Sequence, residues 1–152
     1  MIYRAFGAAD AEAVGRALRR ETRARGVLLL VGADEQLAAR LSADGLHLPE
    51  QLIPELPRIR ARRPRWRITA AAHSSRALLR ADQAGADAVL LSAVFPSRSP
   101  SAGPALGPLR FARMIAETDT PVLALGGVNR VTAPRLLGTG CAGLAAVDGW
   151  LA

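Results

Sequence analysis

Short apolar runs recur along the chain at intervals of roughly 20–25 residues, the spacing of strands that alternate with helices. None of these runs alternates apolar with polar positions. This indicates strands covered on both faces, as in a parallel sheet flanked by helices. The predicted strands are 2–5, 27–31, 45–48, 67–71, 88–92, 122–125 and 143–147.

Amphipathic segments lie between these runs and predict the connecting helices. Segment 9–25 has its apolar positions on one face and arginines elsewhere. Segment 74–84 opens on Ser74, a favoured N-cap residue, and ends just before a glycine. Further helices are predicted at 109–117 and 132–137.

The alternation of strands and helices predicts the fold class. We count seven strands and six connecting helices, whereas a closed barrel has eight of each. The prediction is an α/β fold, a TIM (β/α)8-type barrel lacking the first βα unit and the last helix, in a single domain over residues 1–152. An open, doubly wound sheet is the alternative, but no G-x-G-x-x-G follows the first strand.

The sequence opens directly on a strand, which is why the first unit is the predicted missing one. A barrel with a gap exposes strand edges, and such edges favour association. We expect either a start codon further upstream, or a second chain over the gap, as in a homodimer, or a decaying gene remnant.

The net charge is +7, and all twenty basic residues are arginine. Net positive charge suits anionic small molecules and also nucleic acid. The densest basic run is 58–67, where Trp66 is the only aromatic residue, so nucleic-acid binding is a minor alternative. Cys141 is the only cysteine, which excludes an internal disulfide.

Targeting signals are not evident in the sequence. No apolar run approaches the ~18 residues of a membrane span. The first residues also do not follow the charged-then-apolar layout of a signal peptide. We therefore expect a cytoplasmic protein without a membrane partner.

The Gly126-Gly127 pair follows one predicted strand and is the leading candidate for chemistry. Active sites of such barrels lie at the carboxyl ends of the strands, and the last two loops often hold phosphate. Glycine N–H groups can approach an anion closely because no Cβ intervenes. We predict a phosphate-binding turn here, completed by Ala146 and Val147 at the end of the last predicted strand; the alternative is a plain tight turn.

Two further segments offer polar groups at the same strand ends. Ser97 and Ser99 carry hydroxyls and Arg98 carries a fork of donors, which together suit the oxygens of a diphosphate. The alternative is a solvated loop. His73 ends a strand and is predicted either to donate to a leaving oxygen, or to cap the next helix or bond a backbone carbonyl.

Six segments in order resemble the thiamine phosphate synthase and thiazole tautomerase superfamily. They are YRAFGAAD, ADEQLAARLSADGLHLPE, ITAAAHSS, GADAVLLSAVFPSRS, PVLALGGVN and GCAGLAAVDGW, and they cover nearly the whole chain. DGLHLPE, VFPSRS and LALGGV carry most of the resemblance.

The resemblance implies a transferase that joins an aminopyrimidine diphosphate to a thiazole phosphate and releases diphosphate, with Mg²⁺ as cofactor. It implies that Arg4 binds the diphosphate and that Ser97 and Ser99 hold it through their hydroxyls. It also implies that Gly126 and Gly127 bind the phosphate of the thiazole.

Several family positions differ in this sequence. The metal-binding Asn-Asp pair of the family falls at Gly32-Ala33, and Asp34 and Glu50 are the nearby carboxylates predicted to hold Mg²⁺ instead. Arg98 is predicted to replace a missing lysine. The tautomerase branch has a histidine where this sequence has Ala93, which argues against tautomerase activity.

Three hypotheses follow. The first is a thiamine phosphate synthase-like transferase acting on small phosphate and diphosphate substrates. The second is a non-catalytic binder or regulator of phosphate ligands built on the same barrel, favoured by the changed metal positions. The third is a basic nucleic-acid-binding protein.

Overall fold

A computed structural model describes residues 1–97 and 103–147 of the chain. Arg98 and Ser99, both predicted site residues, lie outside these ranges. The chain forms two compact units, Met1–Thr69 and Ala70–Ala152. The assignment of the whole chain to one domain stays a prediction.

The first unit alternates strands and helices, and its strands neighbour one another in chain order. Strand β1 pairs in parallel with β2, with Ile2 opposite Leu30, and β2 pairs in parallel with β3, with Gly32 opposite His47. Its elements are β1 (Ile2–Tyr3), α1 (Ala11–Ala24), β2 (Leu30–Gly32), α2 (Glu35–Arg40), β3 (Gly45–Leu48), a 3-10 helix (Glu50–Glu55), α3 (Leu56–Arg62) and the first half of β4 (Arg67–Ala72).

The second unit continues the pattern from the second half of β4. Strand β5 pairs in parallel with β6, with Leu91 opposite Ala124, and β6 pairs in parallel with β7, with Ala124 opposite Leu144. Its further elements are α4 (Ser75–Gln83), β5 (Ala88–Leu91), α5 (Gly107–Ile115), β6 (Val122–Ala124), a 3-10 helix (Ala133–Leu136) and β7 (Gly143–Leu144).

Strand residues supply much of the core of each unit, as expected for strands covered on both faces. In the first unit Val31 and Leu48 are fully buried, and in the second unit Val89 and Leu91 are. Phe111, on α5, is the largest fully buried side chain among the described residues. The apolar runs of the sequence therefore correspond to the interior of the protein.

The predicted helix starts follow local rules of capping. Ser74 caps α4, because its hydroxyl accepts a hydrogen bond from the Ala77 N–H at 3.1 Å. Gly85 follows this helix with φ +81°, a left-handed conformation that glycine adopts without strain. The seven strands and the six helical connections predicted from the sequence are all present in the described ranges.

The largest corrections concern three predicted elements, whereas other ends shift by one or two residues. Strand β2 begins at Leu30 rather than at 27, because the Val27 N–H bonds back to Thr22 O at 2.8 Å and prolongs the end of α1. Strand β7 stops at Leu144 rather than at 147. The helix predicted at 132–137 is a short 3-10 helix, in which the Leu137 N–H bonds to Pro134 O, three residues back.

Candidate phosphate-binding site

The Gly126-Gly127 turn follows β6 and has a backbone that favours glycine. The φ angles are +89° and +64°, in the left-handed region. A Cβ atom at Gly126 would lie 2.7 Å from Ala93 Cα, and one at Gly127 would lie 2.4 Å from Pro96 O. Conformation and close approach of the loop after β5 thus both require glycine at these positions.

The carbonyl groups of this turn are held by neighbouring main chain and by one side chain. The Phe95 N–H donates to Gly126 O at 3.0 Å, and the Val94 N–H donates to Leu125 O at 2.9 Å. The Thr132 hydroxyl donates to Gly127 O at 2.8 Å. The turn is therefore fixed from two sides before any ligand arrives.

Asn129 and Thr132 complete this support. The Thr132 hydroxyl oxygen accepts from the Asn129 N–H at 2.9 Å. In return, Asn129 Oδ1 accepts from the N–H groups of Val131 and Thr132, at 2.9 and 3.0 Å. This reciprocal pair holds the segment that leaves the turn in one conformation.

The backbone N–H groups of the turn, unlike its carbonyl groups, lack hydrogen-bond partners among the described residues. Within the described ranges, the N–H groups of Gly126, Gly127 and Val128 donate to no acceptor. Successive backbone N–H groups around left-handed residues form a concavity that binds anions. Among the described residues, the turn thus combines held carbonyls with three N–H groups that have no acceptor, and phosphate binding there stays a prediction.

Ala146 and Val147 lie just beyond β7, the strand that pairs with β6. Ala124 pairs with Leu144, and the Ala145 N–H donates to Ala124 O at 2.9 Å, so the two segments still run side by side where β6 ends. Neither the Ala146 nor the Val147 N–H donates to an acceptor among the described residues. Their part in ligand binding stays a prediction.

The loop after β5 carries the predicted diphosphate group. Ser97 is half-buried and is the last described residue before the gap at 98–102. Phe95, two residues earlier, is buried and has the Arg135 guanidinium 5.1 Å from its ring centre. Arg135 is a cation that sequence reasoning missed, because only the fold brings its 3-10 helix to this loop.

His73 follows β4 and faces the residue that follows β5. Its Nδ1 lies 3.2 Å from the Ser92 carbonyl oxygen and 3.1 Å from the Ser92 hydroxyl oxygen. Ser74 caps α4, so His73 does not. The contact with the Ser92 carbonyl oxygen fits the backbone-carbonyl alternative, and the role of His73 at a leaving oxygen stays a prediction. Ser92 is a polar residue at the strand ends that the motif comparison did not single out.

In the first unit, Arg4 follows β1 and lies beside the end of β2. Its guanidinium is 4.5 Å from the ring centre of Phe6. Its side chain also borders Gly32, where a Cβ would stand 3.0 Å from Arg4 Cγ. The predicted diphosphate arginine is therefore at the carboxyl end of a strand, where barrel active sites lie.

His47 lies on β3, level with Gly32 on the neighbouring strand. Its Nδ1 is 2.9 Å from Thr69 Oγ1. Burial, and secondly the positive charge of Arg4, lower the pKa of His47 from 6.5 to about 4. His47 is therefore neutral at physiological pH, and its charge state is linked to Arg4.

Of the two predicted Mg²⁺ ligands, Asp34 already has a hydrogen-bond partner in the fold. Asp34 caps α2, with Oδ1 accepting from the Leu37 N–H at 2.8 Å. Glu50 is half-buried at the start of a 3-10 helix. Over residues 1–97 and 103–147, no group of three or more His, Cys, Asp or Glu side chains could hold a metal ion. The described residues do not make a preformed metal site, and Asp34 and Glu50 stay a prediction.

Glu35, adjacent to Asp34, forms ion pairs with arginines of the basic run 58–67. It pairs with Arg62 at 2.6 Å and with Arg63 at 3.4 Å. The hydrogen bond from Arg62 is the main cause that lowers the pKa of Glu35. Arg63 also lies 4.9 Å from the ring centre of Trp66. These contacts offset part of the run's charge, which weakens the case for a nucleic-acid surface.

None of the helices within the described ranges is both long and apolar enough to cross a lipid bilayer. The oligomeric state of the chain stays a prediction.

The sequence as a whole matches a known family. A family model described as thiamine monophosphate synthase matches residues 2–149. A thiamine-phosphate synthase of Pyrococcus furiosus is 30% identical over 136 residues, which are 89% of this chain and 65% of that protein. One from Roseiflexus sp. is 33% identical over 142 residues, 93% of this chain and 60% of that protein. The chain spans less than two thirds of these two relatives.

A solved structure supports the same relationship. The thiamine phosphate pyrophosphorylase from Pyrococcus furiosus superposes with a TM-score of 0.80 and 28% sequence identity, covering 96% of this chain and 70% of that one. The resemblance inferred from the motifs is confirmed. The predicted fold class, an α/β fold of the TIM-barrel type with seven strands, is confirmed as well.

Proposed function

We propose, from the premise that this chain belongs to the thiamine monophosphate synthase family, that it acts as a thiamine phosphate synthase-like transferase. The reaction joins an aminopyrimidine diphosphate to a thiazole phosphate and releases diphosphate. The observation that carries the proposal is the Gly126-Gly127 turn, with fixed carbonyls and N–H groups that have no acceptor in the described ranges.

The proposed chemistry requires the protein to position the two substrates and to balance the charge of the leaving diphosphate. When the carbon–oxygen bond to diphosphate breaks, the leaving group keeps the electron pair and the pyrimidine carbon becomes cationic. The thiazole nitrogen then supplies the pair for the new bond. A turn that holds the thiazole phosphate in place makes this attack effectively intramolecular.

Arg4, Ser97 and Ser99, with Arg98 as a further cation, are the groups proposed for the leaving diphosphate. A guanidinium presents paired donors that match phosphate oxygens, and hydroxyls add single donors. The position of Arg4 just after β1, with its guanidinium 4.5 Å from the Phe6 ring centre, supports this role. Preorganised cations of this kind stabilise the charge that develops on a leaving group.

The test is product formation by the full chain supplied with both substrates in magnesium-containing buffer. We expect thiamine phosphate and diphosphate in equal amounts, and loss of roughly 100-fold or more in rate for Arg4→Ala, as for other preorganised charge-stabilising groups. Arg4→Lys keeps the charge but loses the fork, so it should recover part of the rate. The absence of product from the wild-type chain would remove the transferase proposal.

A non-catalytic phosphate binder is the second candidate. Two observations favour it: Asp34 is used as a helix cap, and the described residues include no cluster of three metal-binding side chains. Binding of thiazole phosphate without turnover by the wild-type chain would select this function. Equal binding by wild type and Arg4→Ala, both inactive, would strengthen that choice.

A further inference from the structure

Ser92 adjoins the phosphate turn through the main chain. It is half-buried and follows β5 directly. The next residue, Ala93, has its Cα 2.7 Å from the Cβ position of Gly126. In the described part of the chain, the Ser92 hydroxyl contacts only His73, at 3.1 Å from Nδ1. Ser92 is therefore one residue from a main-chain contact with the turn, and its hydroxyl pairs with His73 at the end of the neighbouring strand β4.

The direction of the hydrogen bond in this pair follows from a second contact. His73 Nδ1 is also 3.2 Å from the Ser92 carbonyl oxygen, which can only accept. If Nδ1 had no proton, its lone pair would face the lone pairs of that oxygen without a hydrogen between them. A proton on Nδ1 accounts for both contacts, because Nδ1–H can donate to the carbonyl oxygen and to the hydroxyl oxygen of Ser92. We infer this tautomer for His73.

This direction decides what Ser92 can do. A nucleophilic serine must give its proton to the histidine, whereas in the inferred tautomer the histidine is the donor. The hydroxyl oxygen of Ser92 accepts from His73, which orients it, and its own proton points elsewhere. Ser92 is thus arranged as a hydrogen-bond donor rather than as a nucleophile.

We propose that Ser92 is a further ligand-binding residue, whose hydroxyl, oriented by His73 Nδ1–H, donates to a phosphate-type oxygen of the ligand at the Gly126-Gly127 turn. The ligand class is a phosphate monoester or a diphosphate, which present the same anionic oxygens. This inference rests on the proposed phosphate site and adds a residue to it.

The first experiment measures binding of inorganic phosphate and of pyrophosphate to the full chain by calorimetry. We expect Ser92→Ala to weaken at least one of the two by about tenfold or more, the usual effect of a lost hydrogen bond to a charged group. Ser92→Thr keeps the hydroxyl and should stay within about threefold of wild type. The anion whose binding is weakened more by Ser92→Ala identifies which ligand, phosphate monoester or diphosphate, supplies the oxygen that Ser92 contacts.

The second experiment needs no ligand. Nitrogen-15 shifts of the His73 ring, recorded at a pH where the ring is neutral, report which nitrogen carries the proton. We expect the proton on Nδ1. A proton on Nε2 would overturn the inference, because the Ser92 hydroxyl would then donate to His73 Nδ1 and could not donate to a ligand. His73→Asn keeps a donor near the Nδ1 position and should bind phosphate better than His73→Leu.

The outcomes separate this inference from the proposed function. If wild type and Ser92→Ala bind both anions equally, Ser92 is not a ligand and only this inference fails. If wild type binds neither anion, the phosphate site fails and the inference falls with it. If wild type binds phosphate through Ser92 but forms no thiamine phosphate, the inference stands and the transferase proposal fails.

Discussion

A methyl group on Gly127 would stand 2.4 Å from the carbonyl oxygen of Pro96, well inside van der Waals contact. The oxygen belongs to the backbone, so it cannot move aside as the end of a flexible side chain would. The glycine turn and the loop after β5 therefore constrain each other. This pairing links the predicted phosphate turn to the loop that carries Ser97.

We expect Gly127→Ala to lower the free energy of unfolding by about 3 kcal/mol or more, since it adds a clash to the strain of a positive φ. Gly138→Ala is the matched control, because Gly138 has φ +76° but open space around its Cβ position. It should cost only about 1 kcal/mol. If both variants lose the same free energy of unfolding in chemical denaturation, the close approach of Pro96 O adds nothing to the cost of a positive φ.

Thr132 should be required for the geometry of the turn. Thr132→Val keeps the shape but removes the hydroxyl that bridges Gly127 O and the Asn129 N–H. We expect a loss of about 1–3 kcal/mol in stability and weaker phosphate binding, because two backbone groups lose their partner. Thr132→Ser should retain most of both. Unchanged phosphate affinity in Thr132→Val would contradict this support role.

His47 should make stability depend on pH. Its folded pKa of about 4 lies below the unfolded 6.5, so the unfolded chain binds the proton first as the pH falls. The contribution is complete above pH ~6.5, declines as the pH falls towards about 4 and stays constant below. Because the ring is partly exposed, we expect about 2 kcal/mol rather than the full value of the shift.

The measurement for His47 is urea denaturation at pH 7 and at pH 4. Subtracting the His47→Asn result removes the titration of the carboxylates, which is common to both proteins. The wild type should lose about 2 kcal/mol more than the variant. Equal losses would show that His47 is not buried as a neutral ring.

Asp34 allows capping and metal binding to be separated. Asp34→Asn keeps the N-cap acceptor for the Leu37 N–H but removes the negative charge, whereas Asp34→Ala removes both. Only Asp34→Ala should lose stability, by about 1 kcal/mol. If Asp34 binds Mg²⁺, both variants should lose metal-dependent binding of pyrophosphate, measured by titrating Mg²⁺ into the protein with that ligand.

A result in which both Asp34 variants keep that metal dependence would exclude Asp34 as a ligand. The same titration with Glu50→Gln tests the second predicted carboxylate. If all three variants bind pyrophosphate with the same Mg²⁺ dependence as the wild type, the prediction that Asp34 and Glu50 bind the metal is wrong.

The sequence by itself determined the seven strands and the cap of α4, because both depend on local pattern. Fully apolar runs have to be buried on both faces, and Ser74 needs only the N–H group three residues ahead. The order of the motifs also sufficed to identify the family. Strand ends were less well determined: β2 starts late because Val27 still bonds back to Thr22.

Only the tertiary structure decided the contacts of side chains at the strand ends. The Gly126-Gly127 pair does not reveal in the sequence that Ala93 and Pro96 O lie where Cβ atoms on these two residues would be. Nothing in the motif around His73 points to Ser92, nineteen residues away. Such contacts join segments remote along the chain, so their geometry depends on how strands pair and not on any local preference.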